Sequence, residues 1–145
     1  MRRLKLLKLL SWYKELQEEK AKVRVYHARM ALQKLLEEKK IIEEEYKECF
    51  DYLQKEKTFF ADELRAWFNY FEILKDFRNI AEKKIETQQK YLEELKEELL
   101  EKNREKRLME RLYEKTLLRF NRENLKKFLK ELDDLVLLRR GRGFD

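Results

Sequence analysis

The chain has 145 residues, of which 46% are charged, and a formal net charge of +6. This length suits one domain, but so high a charged fraction excludes a globule with a thick apolar core. The chain contains no proline, and its two glycines, Gly141 and Gly143, fall among the last five residues. Because nothing upstream of them interrupts a helix outright, the composition indicates an all-α protein built from long helices.

The first helix is expected over residues 4–56. From Ala28 onward its apolar residues recur at alternating steps of three and four, with Lys39 as the one polar intruder: Ala28, Leu32, Leu35, Ile42, Tyr46, Cys49 and Leu53. Such spacing predicts a partner helix wound around this seam. A second stripe upstream is out of phase with the first and comprises Leu9, Tyr13, Leu16, Val23 and Met30. The change of phase predicts a kink or a local unwinding between Val23 and Ala28.

The bend is expected at residues 57–62. Thr58 and Asp62 are candidate N-caps there, and Phe59 and Phe60 could close the end of the hairpin. The second helix should follow over 62–138, and a basic tail over 139–145. Its seam, interrupted only by Arg78 and Gln88, comprises Leu64, Trp67, Phe71, Leu74, Ala81, Ile85, Leu92, Leu95 and Leu99.

Together the two seams predict a long antiparallel two-helix coiled-coil hairpin whose C-terminal helix is the longer. Facing residues should have numbers that sum to about 120, which places Leu4 near Thr116 and Leu53 near Trp67. Beyond Thr116 the second helix would have no intramolecular partner, although it stays rich in leucine and phenylalanine. Large exposed apolar surfaces usually mark interaction sites, so we expect a protein partner there. A dimer in which two such segments cover each other is the alternative.

The sequence offers no catalytic or metal-binding constellation, and neither enzyme activity nor a cofactor is expected. His27 is the only histidine, and no cysteine or carboxylate cluster at metal-ligand spacing surrounds it. Runs of glutamate are typical of solvated helix faces. The single cysteine, Cys49, lies on the seam and cannot form an internal disulfide, which predicts a buried thiol in a cytoplasmic protein.

The distribution of charge and of apolar residues bears on two kinds of partner, nucleic acids and membranes. Acidic residues interrupt the basic stretch 102–111, so no nucleic-acid partner is expected. No apolar run reaches the ~20 residues of a membrane span, so direct insertion is not expected, although the first ten residues could lie at a membrane surface.

Near the bend there are more aromatic residues than one seam can bury. Phe68 and Tyr70 should therefore be exposed, either thickening the hairpin end or forming a second binding surface.

Several segments, taken in order, resemble the FliJ family, the coiled-coil stalk proteins of flagellar type III export. Residues 3–10 (RLKLLKLL) resemble the family's start, and residues 67–71 (WFNYF) resemble the aromatic start of its second helix. Residues 104–112 (REKRLMERL) are similar to its basic segment. Residues 132–134 (LDD) are similar to its terminal Leu-Asp-Glu, with Asp134 where glutamate is more usual.

This resemblance implies a shaft similar to that of rotary ATPases, located in the cytoplasm at the inner-membrane export apparatus. It would insert in the hexameric export ATPase ring, promote the ring's assembly and activity, and link it to the membrane export gate protein, with export chaperones as further partners. The ring contacts would be Leu6, Leu10, Leu118, Leu125, Phe128 and Leu132. The gate contacts would be Tyr46, Phe50, Ile73 and Phe77. A homodimeric structural coiled coil without an ATPase partner is the alternative.

Overall fold

The computed structural model describes residues 2–56 and 58–141, nearly all of which lie in two α-helices. Helix α1 is Arg2–Lys55, with 54 residues, and helix α2 is Ala61–Gly141, with 81 residues. The two helices pack against each other, and no β-strand occurs among the residues just given. The prediction of an all-α helical hairpin with a longer C-terminal helix is therefore confirmed.

The start of α2 differs in detail from the sequence-based expectation. The helix begins at Ala61, and the Leu64 amide donates its hydrogen bond to the Phe60 carbonyl at 3.0 Å. Neither candidate N-cap therefore occupies the capping position, since Thr58 precedes it and Asp62 lies within the first turn. The negative charge of Asp62 still favours the helix there, because it opposes the positive end of the helix dipole.

Two further expectations about the helix ends need correction. Phe59 is half-buried, but Phe60 is 79% exposed, so only one of the two phenylalanines helps to cover the bend. At the other end α2 continues through Gly141, so residues 139–141 are helical rather than part of a tail. Residues 142–145 lie outside the described part of the chain.

Contacts between the helices group into two compact units. Unit 1 comprises residues 1–19 and 101–145, and unit 2 comprises residues 20–100. Each unit contains a segment of α1 packed on a segment of α2.

Within unit 2 the helices run antiparallel, with the register expected from the sequence. The guanidinium Nη1 of Arg24 lies 3.4 Å from Glu98 Oε1, whereas the ring centroids of Tyr52 and Trp67 are 5.3 Å apart. The first residues of the α1 segment thus meet the last residues of the α2 segment, and facing numbers sum to about 120.

A single apolar layer forms the core of unit 2. Its buried residues are Ala21, Val25, Ala28, Cys49, Leu74, Ala81, Ile85, Leu92 and Leu95. At its centre Val25, Ala28, Leu92 and Leu95 form one cluster. The seam predicted for α2 therefore faces inward in this unit, except that Leu64 is 39% exposed.

Each polar residue that interrupts the predicted seams of unit 2 bonds to another polar group, either on the other helix or on its own helix. Lys39 Nζ lies 3.6 Å from Glu82 Oε1, and Arg78 Nε lies 3.3 Å from the same carboxylate oxygen. Gln88 Nε2 donates a hydrogen bond to the Ala28 carbonyl at 3.1 Å. Each intruder therefore keeps a polar partner, which limits the cost of placing it on the seam.

Helix α1 keeps one seam register along its whole length, so the predicted change of phase between Val23 and Ala28 is wrong. The inward positions continue upstream at the same steps of three and four. They are Leu4, Leu7, Ser11, Lys14, Glu18, Ala21 and Val25, all buried or half-buried. The apolar residues expected on a shifted seam lie on the outer face instead, each about half exposed or more: Leu9, Tyr13, Leu16, Val23 and Met30.

Candidate functional site

Polar contacts hold much of the helix pair in unit 1. Glu18 is 2% exposed and accepts a hydrogen bond from Asn103 Nδ2 at 2.9 Å, while Lys106 Nζ lies 3.7 Å from its other oxygen. One turn earlier on α1, Lys14 Nζ donates to Glu105 Oε2 at 3.0 Å. This bond holds the pKa of the Glu105 carboxyl below its usual range. Because the buried Glu18 carboxylate is bonded across the helices and Lys14, Glu105 and Lys106 are partly exposed, polar residues are tolerated at these positions.

The first turn of α1 packs beside Thr116, as the sequence predicts. A groove of about 440 Å³ marks this place, and its lining includes Leu4 and Thr116. Phe120 also lines the groove and is the last half-buried residue of α2. The pairing of the two helices in unit 1 therefore ends at Phe120.

Every residue of α2 from 121 to 141, the segment called the overhang below, is exposed. This segment contains six leucines, one phenylalanine and one valine. Only Glu123, at its start, lines the groove beside Arg3 and Leu4, so the rest of the overhang is a continuous exposed helical surface among the described residues. That a protein partner binds there stays a prediction.

The apolar stripe of the overhang does not continue the seam of α2. Upstream, the half-buried inward positions of unit 1 are Lys102, Lys106, Met109, Tyr113, Thr116 and Phe120. The same steps carried onward reach four polar residues, Glu123, Lys127, Lys130 and Asp134, before they reach Leu137. The overhang stripe consists of Leu118, in the turn before the overhang, and of Leu125, Phe128, Leu132 and Leu135 within it; these residues are 42–61% exposed. Leu118, Leu125 and Leu132 lie two positions after a seam position, and Phe128 and Leu135 lie one position after one. The stripe is therefore about 100–200° around the helix from the seam and faces away from the side that packs on α1.

The six predicted ring contacts fall on two separate patches of unit 1. Four of them, Leu118, Leu125, Phe128 and Leu132, belong to the overhang stripe. The other two lie on α1, where Leu6 is 58% exposed and Leu10 is 37% exposed. Since α1 pairs with turns of α2 that precede the overhang, these two leucines do not extend the stripe.

The four predicted gate contacts also divide between two surfaces, both in unit 2. Tyr46 and Phe50 line a groove of about 350 Å³ whose other walls are Leu53, Gln54, Phe68 and Phe71. Ile73 and Phe77 are four residues apart on α2 and line none of this groove. Both are about half exposed, as is Ile80 one turn on. Unit 2 thus offers an aromatic groove and a distinct apolar strip.

A tyrosine, a carboxylate and the single cysteine meet beside this region. The Tyr70 hydroxyl donates to Glu45 Oε1 at 2.6 Å, and this bond raises the pKa of Tyr70 to about 12. Cys49 is buried, and burial followed by the charge of Glu45 raises the pKa of its thiol. The thiol therefore stays protonated at neutral pH and is a poor nucleophile.

Tyr70 is half-buried, contrary to prediction, whereas Phe68 is 59% exposed as expected.

Residues 2–56 and 58–141 contain neither a metal-binding cluster nor a membrane-spanning helix. In these ranges no group of three or more His, Cys, Asp or Glu side chains could hold a metal ion. Neither helix has an apolar stretch long enough to cross a bilayer. His27 is exposed, with its ring 5.8 Å from the ring of Tyr26.

The chain is an antiparallel two-helix hairpin with three exposed apolar surfaces, namely the overhang stripe, the aromatic groove and the apolar strip. No known protein family, curated protein or solved structure matches the chain. Its function is therefore inferred from its own surfaces and sequence.

Proposed function

We propose that this protein is a stalk protein of the flagellar type III protein export apparatus, in which the overhang inserts in the hexameric export ATPase ring. The observation that carries the proposal is the overhang itself, fully exposed from residue 121 to 141, with its apolar stripe turned away from α1. The ordered segments that resemble the FliJ family support the same assignment.

The stalk would act by contact and would promote assembly and activity of the ring. Burial of a leucine or phenylalanine side chain contributes about 1.5–3 kcal/mol, so the overhang stripe can supply substantial binding energy. Because this stripe occupies one face of one helix, it would touch the six subunits of a ring unequally. Unequal contact can bias assembly and nucleotide turnover without any chemistry on the stalk, because it stabilises one subunit state over another.

The other end of the proposed link is the membrane export gate protein, which unit 2 would meet in the cytoplasm at the inner membrane. The aromatic groove, with Tyr46 and Phe50, is one candidate contact, and the strip with Ile73 and Phe77 is a second. Both are exposed apolar surfaces of the kind that partners cover. Export chaperones are further candidate partners for them.

Single aspartate substitutions in the overhang stripe test the proposal. Phe128→Asp and Leu132→Asp should each weaken binding to the hexameric export ATPase of the same cell by about tenfold or more, because each places a charge in a desolvated contact. Stimulation of ATP hydrolysis should fall in parallel. The matched control is Ile41→Asp, since Ile41 is 64% exposed but lies on α1 in unit 2. Circular dichroism checks that helicity is unchanged.

Full stimulation by both overhang variants would show that the overhang is not the ring contact. The homodimer alternative makes a different prediction. It expects a dimer at micromolar concentration in sedimentation experiments, dissociation of that dimer by Leu125→Asp, and no effect of the wild-type chain on the ATPase.

A further inference from the structure

The outer face of α1 in unit 1 carries an apolar stripe of its own, separate from the overhang stripe. Leu6, Leu9, Tyr13 and Leu16 follow one another at steps of three and four, and Trp12 lies at their edge. These five side chains are 52–62% exposed. The seam positions Leu4 and Leu7 face inward, so this outer stripe takes no part in the packing of α1 on α2.

Basic residues surround the N-terminal part of the outer stripe, whereas Glu15 and Glu19 lie beside its last residue, Leu16. Residues 2–14 contain five basic side chains and no acidic side chain. By helical position Arg3 lies on one side of the stripe, while Lys5 and Lys8 lie on the other. The Lys8 ammonium is 5.8 Å from the centre of the Trp12 ring, close enough for a cation–π interaction.

The same imbalance holds for unit 1 as a whole. Residues 1–19 and 101–145 contain 19 basic and 12 acidic side chains, whereas residues 20–100 contain 17 and 18. The net positive charge of the chain therefore resides in unit 1. An anionic surface is the natural complement of such a unit.

We propose that the outer stripe of α1 lies on an anionic lipid bilayer, with its leucines and aromatic rings at the interface and its bases against the headgroups. An amphipathic helix with basic flanks and aromatic residues has this property, because basic side chains near an anionic membrane are attracted to its headgroups. A second copy paired in parallel fits the stripe less well, because it would place Arg3, Lys5 and Lys8 of one copy near those of the other.

This surface goes beyond the proposed function, because the ring contact rests on the overhang and the bilayer contact rests on α1. Leu6, which the family resemblance assigns to the ring, serves the bilayer instead. Binding requires no opening of the hairpin, since the stripe is already exposed. The contact is interfacial and leaves the chain outside the hydrocarbon core.

Vesicle binding by the full-length chain tests the proposal. Vesicles of phosphatidylglycerol mixed with phosphatidylcholine should bind the chain in co-sedimentation at least about tenfold more strongly than vesicles of phosphatidylcholine alone. Added salt should weaken this preference. In a Trp67→Phe chain Trp12 is the remaining tryptophan, and its emission should shift to the blue on binding.

Charge substitutions on the stripe locate the contact. Leu9→Glu combined with Leu16→Glu should abolish vesicle binding without loss of helicity, because both leucines are exposed. Lys5→Glu with Lys8→Glu should reduce binding to the anionic vesicles alone. The control Ile41→Glu, at an exposed position in unit 2, should bind as the wild type does.

Several results would overturn the proposal: no binding to anionic vesicles, equal binding to both vesicle types, or unchanged binding by the Leu9 and Leu16 double variant. A blue shift of Trp12 that grows with protein concentration without vesicles would assign the stripe to a second copy instead. Binding to polyglutamate with no binding to vesicles would assign it to an acidic protein. Phe128→Asp should keep vesicle binding, and the Leu9 and Leu16 double variant should keep ATPase stimulation, so the two proposals fail independently.

Discussion

A carboxylate at Glu18 occupies a position that coiled coils usually give to an apolar side chain. It is tolerated because α2 supplies Asn103 and Lys106 as partners. Buried polar residues at such positions are known to specify helix register, because a slip of the helices would leave them unpaired. Sequence pattern could not identify Glu18 as a seam residue, since its partners lie 85 or more residues away along the chain.

Replacement of Glu18 by alanine should lower the free energy of unfolding by about 1–3 kcal/mol, because it removes a buried acceptor and takes from the half-buried Asn103 amide its bond across the helices. Denaturant unfolding followed by circular dichroism measures the change. Glu15→Ala is the control, since Glu15 is exposed on the same helix. Equal stability of the two variants would contradict the role assigned to Glu18.

Tyr70 should make the stability of the protein depend on pH in the alkaline range. Its hydrogen bond to Glu45 raises the pKa from 10.0 to about 12 in the folded chain. The stabilisation from this bond is therefore complete below pH ~10 and is lost as the pH rises through the folded pKa. Between these values the wild type should lose more stability than Tyr70→Phe, measured by thermal unfolding at each pH. Tyr91→Phe, at an exposed position, should follow the wild type; identical slopes for Tyr70→Phe and the wild type would contradict the prediction.

In helix α1, the spacing of apolar residues identifies the inward face of the C-terminal half but not that of the N-terminal half. Downstream of Ala28 the inward residues are apolar except Lys39, so the spacing finds most of them, although Tyr46 is 44% exposed. Upstream the inward positions include Lys14 and Glu18, while the leucines occupy the outer face. A pattern that assigns apolar residues to the interior therefore selects the wrong face, because it cannot detect the polar partners on the other helix.

The two halves of α2 should respond differently to the same change of side chain. Leu92→Ala should lower the free energy of unfolding by about 2–5 kcal/mol, because Leu92 is 6% exposed within the core cluster of unit 2. Leu125→Ala should change it by no more than about 0.5 kcal/mol, because Leu125 is 57% exposed in the overhang. Urea unfolding of both variants provides the measurement. A large loss in Leu125→Ala would mean that the overhang packs on the rest of the chain.

For the whole molecule, sequence predicts the all-α hairpin and the greater length of α2, because proline-free helices and heptad spacing are local properties. It also predicts an uncovered C-terminal segment, since that follows from the difference in helix lengths. The composition of the surfaces is less accessible to sequence. Tyr46 and Ile73 look alike as exposed apolar residues near the bend, but only one of them lines the aromatic groove. Which of them lines the groove depends on how the two helices are aligned. The residue pattern of a single helix does not determine that alignment.

The position of the overhang stripe around α2 determines which residues a longer α1 would cover. If α1 were prolonged at its N-terminus by two heptads in its own register, the added turns would meet Glu123, Lys127, Lys130 and Asp134. The leucines of the stripe would remain open on the far side. Insertions that lengthen α1 would therefore alter stability without masking the docking face, so these two properties can vary separately among related chains.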